Sequence, residues 1–184
     1  DLRIAAWRCA LHHHWKEQIC VRAAQDRGCP YCSGAKTLSG YNDLSTTHPA
    51  LAAQWEAEKN GILTPQDVSA SSTRAVWWRC KLGHTWKTTV VQRTLRGEEC
   101  PYCSNRMVLP GFNDLATIAP QIAKQWHPLL NDLRKPENVL AVSESLVWWQ
   151  CPEGHVWRSK IRARVEQGQQ LRCPICEGDT SRIK

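Results

Sequence analysis

Phenylalanine and methionine occur once each in this 184-residue chain, and tyrosine three times. Globular cores of this length are ordinarily built from Leu, Ile, Val and Phe, so one large core of the usual kind is excluded. No apolar run approaches the ~20 residues needed to span a bilayer. No stretch has the charged, apolar and small-residue pattern of a secretory signal, and none reads as a long disordered tail. A soluble protein of one or two domains is expected, outside the membrane. Acidic residues are also short, 17 against 24 Lys and Arg, which leaves a charge of +7 and a pI near 9.0.

What the chain has instead is ten Trp and ten Cys. The spacing of the cysteines decides between disulfides and metal. Cys29-Pro-Tyr-Cys32, Cys100-Pro-Tyr-Cys103 and Cys173-Pro-Ile-Cys176 are each preceded by a lone cysteine with a histidine four residues on: Cys9 and His13, Cys80 and His84, Cys151 and His155. Nine cysteines thus form three Cys3His sets, and Cys20 is left over. A disulfide framework has no use for a histidine at a fixed offset, so metal is the reading. Cys-x2-Cys lets two sulfurs reach one ion from a tight turn whose φ is pre-set by Pro. Each set offers four protein ligands, whereas a catalytic zinc keeps a position for water. Three structural Zn²⁺ ions are therefore expected, and no enzyme. His12 and His14 read as solvent-facing neighbours of His13, either able to replace it as ligand. Cys20 aligns with Val91 and Arg162 and reads as a strand residue with no metal role.

The sets recur at a constant shift of 71 residues, and the shift aligns more than the ligands. It superposes Trp7, Trp78 and Trp149, then Trp15, Trp86 and Trp157, then Trp55 and Trp126, and also Trp77 and Trp148. Gly40-Tyr-Asn-Asp-Leu44 falls on Gly111-Phe-Asn-Asp-Leu115. The third set alone departs, with two extra residues between His155 and Cys173. The chain is therefore three zinc modules joined by two copies of one connector. The divisions are 1–36 (zinc module 1, a partial repeat), 37–107 (connector and module 2) and 108–184 (connector and module 3).

Each module reads as a small zinc-dependent α+β unit, too small to fold on its own apolar surface. Val76–Arg79 predicts a Trp-rich strand delivering Cys80, Lys81–His84 a tight turn, and Thr85–Gln92 a second strand. In the connectors, Ile118, Ile122 and Trp126 recur at helical spacing with Pro120 in the first turn, and Asn113-Asp114 offers a cap. Trp86 and its equivalents are placed to cover the zinc site. Of Trp77 and Trp78, on opposite faces of a strand, one is expected in the core and one outside.

Trp-Trp-Arg-Cys-Lys-Leu-Gly-His-Thr-Trp at 77–86, followed by Arg93 and Cys-Pro-Tyr-Cys, resembles the treble-clef "probable zinc-ribbon" domain of bacterial and phage proteins. His48-Pro-Ala-Leu-Ala-Ala-Gln-Trp55 through Pro65, Val68 and Ser72 is similar to that family's N-terminal part. The likeness covers two full units and a leading half unit. Departures are Ala6 where a first Trp would stand, the run His12-His13-His14, and Gln150 in place of Arg8 and Arg79. The resemblance implies tandem treble-clef zinc folds, sometimes joined to nuclease-like domains, and a loose association with nucleic acid.

Charge supplies the functional expectation. Residues 77–106 carry six bases against two acids and residues 148–176 five against two, while both connectors are net acidic. Lys16, Lys87 and Arg158 align, as do Arg22, Arg93 and Arg164. This periodic basic face predicts phosphate-backbone binding, to DNA before RNA. For Arg22, Arg93 and Arg164, stacking on Trp is an equal alternative. A protein adaptor using exposed Trp, or the targeting part of a nuclease-containing protein, is the alternative function. Nine thiols holding metal and one left over point to a reducing, cytoplasmic setting.

Overall fold

In a computed structural model of the chain, residues 2–25, 28–168 and 173–178 are described. The chain divides into two compact units, Asp1–Cys100 and Pro101–Lys184. The first contains β1 (Ile4–Arg8), β2 (His14–Gln18) and α1 (Ile19–Gln25), then the single-turn helices α2 (Leu44–Thr47), α3 (Pro49–Ala52) and α4 (Ala57–Asn60), then β3 (Ala75–Arg79), β4 (Thr85–Thr89) and α5 (Val90–Thr94). The second contains α6 (Leu115–Ile118), α7 (Pro120–Ala123), β5 (Leu146–Gln150), β6 (Val156–Lys160) and α8 (Ile161–Glu166). Every sheet among the described residues is a two-stranded antiparallel hairpin: β1–β2, β3–β4 or β5–β6.

The hairpins form where alternation is sharpest. In β3, Val76 and Trp78 are buried while Ala75 and Arg79 are exposed, and in β4 Trp86 is buried while Lys87 faces out. The register sets Trp78 opposite Trp86, Trp149 opposite Trp157 and Trp7 opposite Trp15. Such cross-strand aromatic pairs stabilise a ribbon that would be marginal alone. Each first-strand Trp also donates its indole N–H across the ribbon, Trp78 to the Thr88 carbonyl at 3.1 Å and Trp149 to that of Ser159 at 3.1 Å.

The second strand is shorter than the pattern predicts. Thr85–Gln92 is not one strand: β4 ends at Thr89 and α5 begins at Val90. Thr89 and Gln92 form a reciprocal capping box, in which the Gln92 amide donates to the Thr89 hydroxyl and the Thr89 amide to the Gln92 side chain, both at 3.3 Å. The Thr-x-x-Gln signal was present, but two β-branched valines masked it. By the same equivalence Cys20 lies on helix α1, not on a strand.

The connectors break differently from the expected single helix. His48 and Ala119, each followed by Pro, adopt φ −139°, ψ 63° and φ −137°, ψ 66°. Proline disfavours helical geometry in the residue before it, so it starts a second turn of helix instead of joining the first. Ile122 is then fully buried while Ile118 stays 50% exposed. The Gly-x-Asn-Asp-Leu motif anchors this segment. Asp114, 1% exposed, caps α6: its carboxylate accepts from the Thr117 amide (2.9 Å), the Thr117 hydroxyl (2.7 Å) and the Gly111 amide (2.7 Å). Gly111 presents that amide from φ +83°, a region closed to most side chains. Asp43 makes the same bonds in the first connector.

Each connector packs on the hairpin that follows it. In the second unit, Leu115 and Ile122 join Val147, Trp149, Trp157 and Ile161 in one buried cluster, which also takes in Cys151 and Cys173. The Leu115 amide donates to the Val139 carbonyl at 3.0 Å, and the Leu44 amide to that of Val68 at 2.8 Å.

Burial opposes ionisation of Asp114, but the hydrogen bonds from Thr117 and Gly111 outweigh it and hold the carboxyl below its ordinary range. A depressed folded value contributes stability above the unfolded value of about 4, lost as pH falls through the folded one. Asp114→Ala is expected to lower the unfolding free energy by about 1–2 kcal/mol at pH 7. In urea titrations that difference shrinks as pH drops below roughly 4.

Candidate metal centres

Each set of ligands comes from two turns of backbone. The first Cys directly follows one strand and the His directly precedes the next, so the hairpin turn places both. In the second module the Cys80 amide donates to the His84 carbonyl at 3.0 Å, and the Gly83 amide to the Cys80 carbonyl at 2.9 Å. Gly83 and Gly154 hold the left-handed geometry of this turn, at φ +85° and +83°, whereas His12 takes that position in module 1 at φ +62°. The Cys-Pro-x-Cys turn supplies the other pair, closed by Ser33 N–H to the Cys29 carbonyl at 3.0 Å and by Glu177 N–H to that of Cys173 at 3.1 Å.

The ligand atoms of Cys9, His13, Cys29 and Cys32 all lie within 4.8 Å of one another. The same holds for Cys80, His84, Cys100 and Cys103, and for Cys151, His155, Cys173 and Cys176. A tetrahedron with Zn–S of 2.3 Å and Zn–N of 2.0–2.1 Å has S···S edges of about 3.8 Å and S···N edges of about 3.6 Å. Cys9 and Cys32 sulfurs are 3.8 Å apart, and those of Cys151 and Cys176 are 4.0 Å apart. His13 Nδ1 stands 3.6 and 3.3 Å from Cys29 and Cys32, His84 Nδ1 3.8 Å from Cys100, and His155 Nδ1 3.6 Å from Cys151. These are the edges of a zinc tetrahedron, with Nδ1 as the imidazole donor in each. Three soft thiolates and one imidazole suit Zn²⁺, and with four protein ligands each ion is structural.

Electrostatics point the same way. Burial and the neighbouring sulfurs of Cys29 and Cys9 push the Cys32 thiol up to about 11. Burial beside Cys173 and Cys151 does the same to Cys176, again to about 11. Three thiolates this close repel one another, and a dication relieves that repulsion. Burial works against Cys9 as a thiolate too, but amide hydrogen bonds from His13 and Leu11 outweigh it and draw its pKa down. In module 1 the Tyr41 ring lies edge-on over His13, with centroids 4.1 Å apart.

His12 is exposed in the turn and His14 is exposed on β2, and His13 alone of the three joins the ligand set. Trp86 lies in the ribbon core opposite Trp78. Of that Trp77–Trp78 pair, Trp78 is fully buried and Trp77 half-buried.

The basic residues separate into two groups. Lys16, Lys87 and Arg158 are exposed, each on the second strand of its hairpin. Arg93 and Arg164, by contrast, are 6% and 2% exposed. The Arg93 guanidinium lies 5.2 Å from the Trp78 ring and 5.3 Å from that of Trp86, and Arg164 sits 5.7 and 5.4 Å from Trp149 and Trp157. Burial pulls the pKa of both down. Phosphate contact by Arg93 and Arg164 is thereby corrected: a guanidinium enclosed by two indoles is a core element. Arg22 stacks on Trp7 and Trp15 at 4.5 and 5.2 Å, half-buried.

Residues beyond the expected set complete this arrangement. Gln54 and Gln125 accept from the Arg93 and Arg164 guanidinium groups. Asn60 pairs with both backbone groups of Trp77, accepting from its amide and donating to its carbonyl at 2.8 Å each; Asn131 does the same to Trp148 at 2.8 and 2.9 Å. Both pairs also obey the 71-residue shift, which was the available signal.

Elemental analysis of the pure protein is expected to return three zinc ions per chain, and two for His84→Ala. Apparent zinc affinity falls as pH is lowered, because the thiolates take up protons in competition with the metal. Chelator at neutral pH should abolish the near-ultraviolet circular dichroism of the buried Trp residues; a retained signal with metal gone contradicts structural zinc.

No curated protein matches the chain. The family model described as Probable Treble clef zinc finger domain matches residues 51–106 and 122–179, which hold most of each connector and the second and third ligand sets. With that match over more than half of its length, and Cys3His tetrahedra at a 71-residue repeat, the chain belongs to the treble clef zinc finger family that this model describes.

Proposed function

We propose that the chain is a non-enzymatic, zinc-stabilised nucleic-acid-binding protein that grips the phosphate backbone, with DNA as its preferred polymer. The observation that carries this reading is the repeated outer face of the hairpins. Lys87 is registered opposite Trp77, and Arg158 opposite Trp148. Both Trp rings are half-buried and flanked by cations: Lys59 Nζ lies 4.6 Å from the Trp77 ring, and the Arg158 guanidinium 5.3 Å from that of Trp148. Lys16 occupies the same place in module 1, opposite Ala6. A flat ring beside exposed positive charge suits a polyanion with stackable bases. None of the described helices exceeds seven residues, too short for a recognition helix laid along a major groove, so backbone or single-strand contact is favoured over sequence readout. Modules that each bind weakly gain avidity from being joined.

The four-ligand sets leave no open position on zinc for a hydrolytic water, which supports a binding role over catalysis. No helix among the described residues is long and apolar enough to cross a membrane. A reducing compartment, the cytoplasm, suits ten thiols. A protein-adaptor role draws on a different surface: Ile62 and Leu133, equivalent under the repeat, are 100% and 91% exposed.

Fluorescence anisotropy with single- and double-stranded DNA and RNA tests the reading. Binding should weaken steeply between 50 and 200 mM salt, the signature of counterion release. The double variant Lys87→Glu, Arg158→Glu should lose affinity about tenfold or more while keeping three zinc ions. Undiminished affinity of that variant refutes the proposed face.

A further inference from the structure

In the second and third modules, the outer edge of the first strand is covered by the connector before it. The Glu56 amide donates to the Trp77 carbonyl at 3.1 Å and the Arg79 amide to the Gln54 carbonyl at 2.7 Å, with Asn60 closing the Trp77 backbone. Trp55 meets Trp78 edge-to-face at 5.7 Å, and Glu56, 2% exposed, pairs with Arg79. Gln125, Trp126 and Asn131 repeat the arrangement on β5, with Trp126 and Trp149 at 5.6 Å. Under this cover Trp78 and Trp149 are each 0% exposed.

Strand β1 carries the same register and the same Arg–Trp–Trp stack. Among the described residues, however, no bridge of this kind reaches it. Trp7 is only half-buried and Ala6 and Arg8 are exposed. By equivalence with Trp77, the amide and carbonyl of Ala6 point away from β2. An edge strand with free backbone groups beside an aromatic ring is a template for another segment.

The geometry points to the β1 edge of module 1 as a docking site for a polypeptide segment of the first connector's chemistry, Gln-Trp-Glu with Asn four residues after the Glu. Gln and Trp meet the Arg–Trp stack, Asn pairs with the Ala6 backbone, and the acid meets Arg8. Charge selects this type: Arg8 matches Arg79, the partner of Glu56, whereas the equivalent positions of the second connector and its strand are the uncharged pair His127 and Gln150. The inference stands apart from nucleic-acid binding, because it uses the strand edge and not the basic outer face.

The test titrates a labelled synthetic peptide of residues 44–68 into the full zinc-loaded chain. One saturable site is expected, weakened about tenfold or more by Trp55→Ala or Asn60→Ala in the peptide. Glu56→Lys in the peptide should weaken binding likewise, and Arg8→Glu in the chain should restore that variant while weakening the original. Ala6→Pro, which removes an outward N–H that the ladder does not use, should abolish binding with three zinc ions retained. No binding at about 1 mM peptide, the scale at which a tethered connector acts, overturns the proposal. So does binding that persists in Ala6→Pro, that ignores the charge swap, or that an oligonucleotide displaces by competing for the edge.

Discussion

Tetrahedral coordination by three thiolates and one imidazole is the constraint from which the rest follows. The segment between His84 and Cys100 is fifteen residues long, which gives a strand, a turn of helix and a return. No apolar core of that size is stable unaided, while structural zinc contributes roughly 10–16 kcal/mol at neutral pH. Fixing the four ligand atoms sets the hairpin turn, hence the register, hence which Trp faces inward. Cys151 and Cys173 belong to the same buried cluster as Trp149 and Ile122, so metal and core form one cooperative object.

The second organising element is a guanidinium between two indoles. Arg93 is covered by Trp78 and Trp86 and hydrogen-bonded to Gln54 and to the Glu98 carbonyl. Desolvated cation–π contacts reach about 2 kcal/mol, and Arg, unlike Lys, remains charged when buried. Because Gln54 comes from the connector and Arg93 from the helix after the hairpin, the stack ties the two together. A core so poor in Phe and Met is built this way: indoles supply area, and arginine fills the space between them.

Much of this was legible because the chain states its plan more than once. The ligand sets, the hairpin positions and the outward placement of Lys87 and Arg158 all followed from spacing and the 71-residue shift. What was not legible turned on competing local signals. Val90 and Val91 read as strand, yet the Thr89–Gln92 capping box starts a helix there. Pro120 fits the first turn of a helix, but its effect on Ala119 splits the connector in two. Gln54 and Asn60 obey the 71-residue shift, but the shift does not name their partners, the Arg93 guanidinium and the Trp77 backbone, which lie far away in sequence. Arg93 carried two readings of equal weight, and only burial separated them.

That separation changes how the positive charge is counted. By sequence, residues 77–106 hold six bases against two acids. Arg93 is enclosed by indoles, and Arg79 is held by the buried carboxylate of Glu56, which is itself kept below the usual range by that pairing. In the third module Arg164 is enclosed, and Arg162 is paired with Glu144 and Glu166. A good part of the basic excess is therefore either buried or paired with a carboxylate. The charge left facing water at equivalent places is Lys16, Lys87 and Arg158, one per hairpin and each immediately after the second-strand Trp (Trp15, Trp86 or Trp157). Each hairpin thus presents one such cation, opposite a half-buried Trp ring in the second and third modules, and total charge overstates what the surface presents.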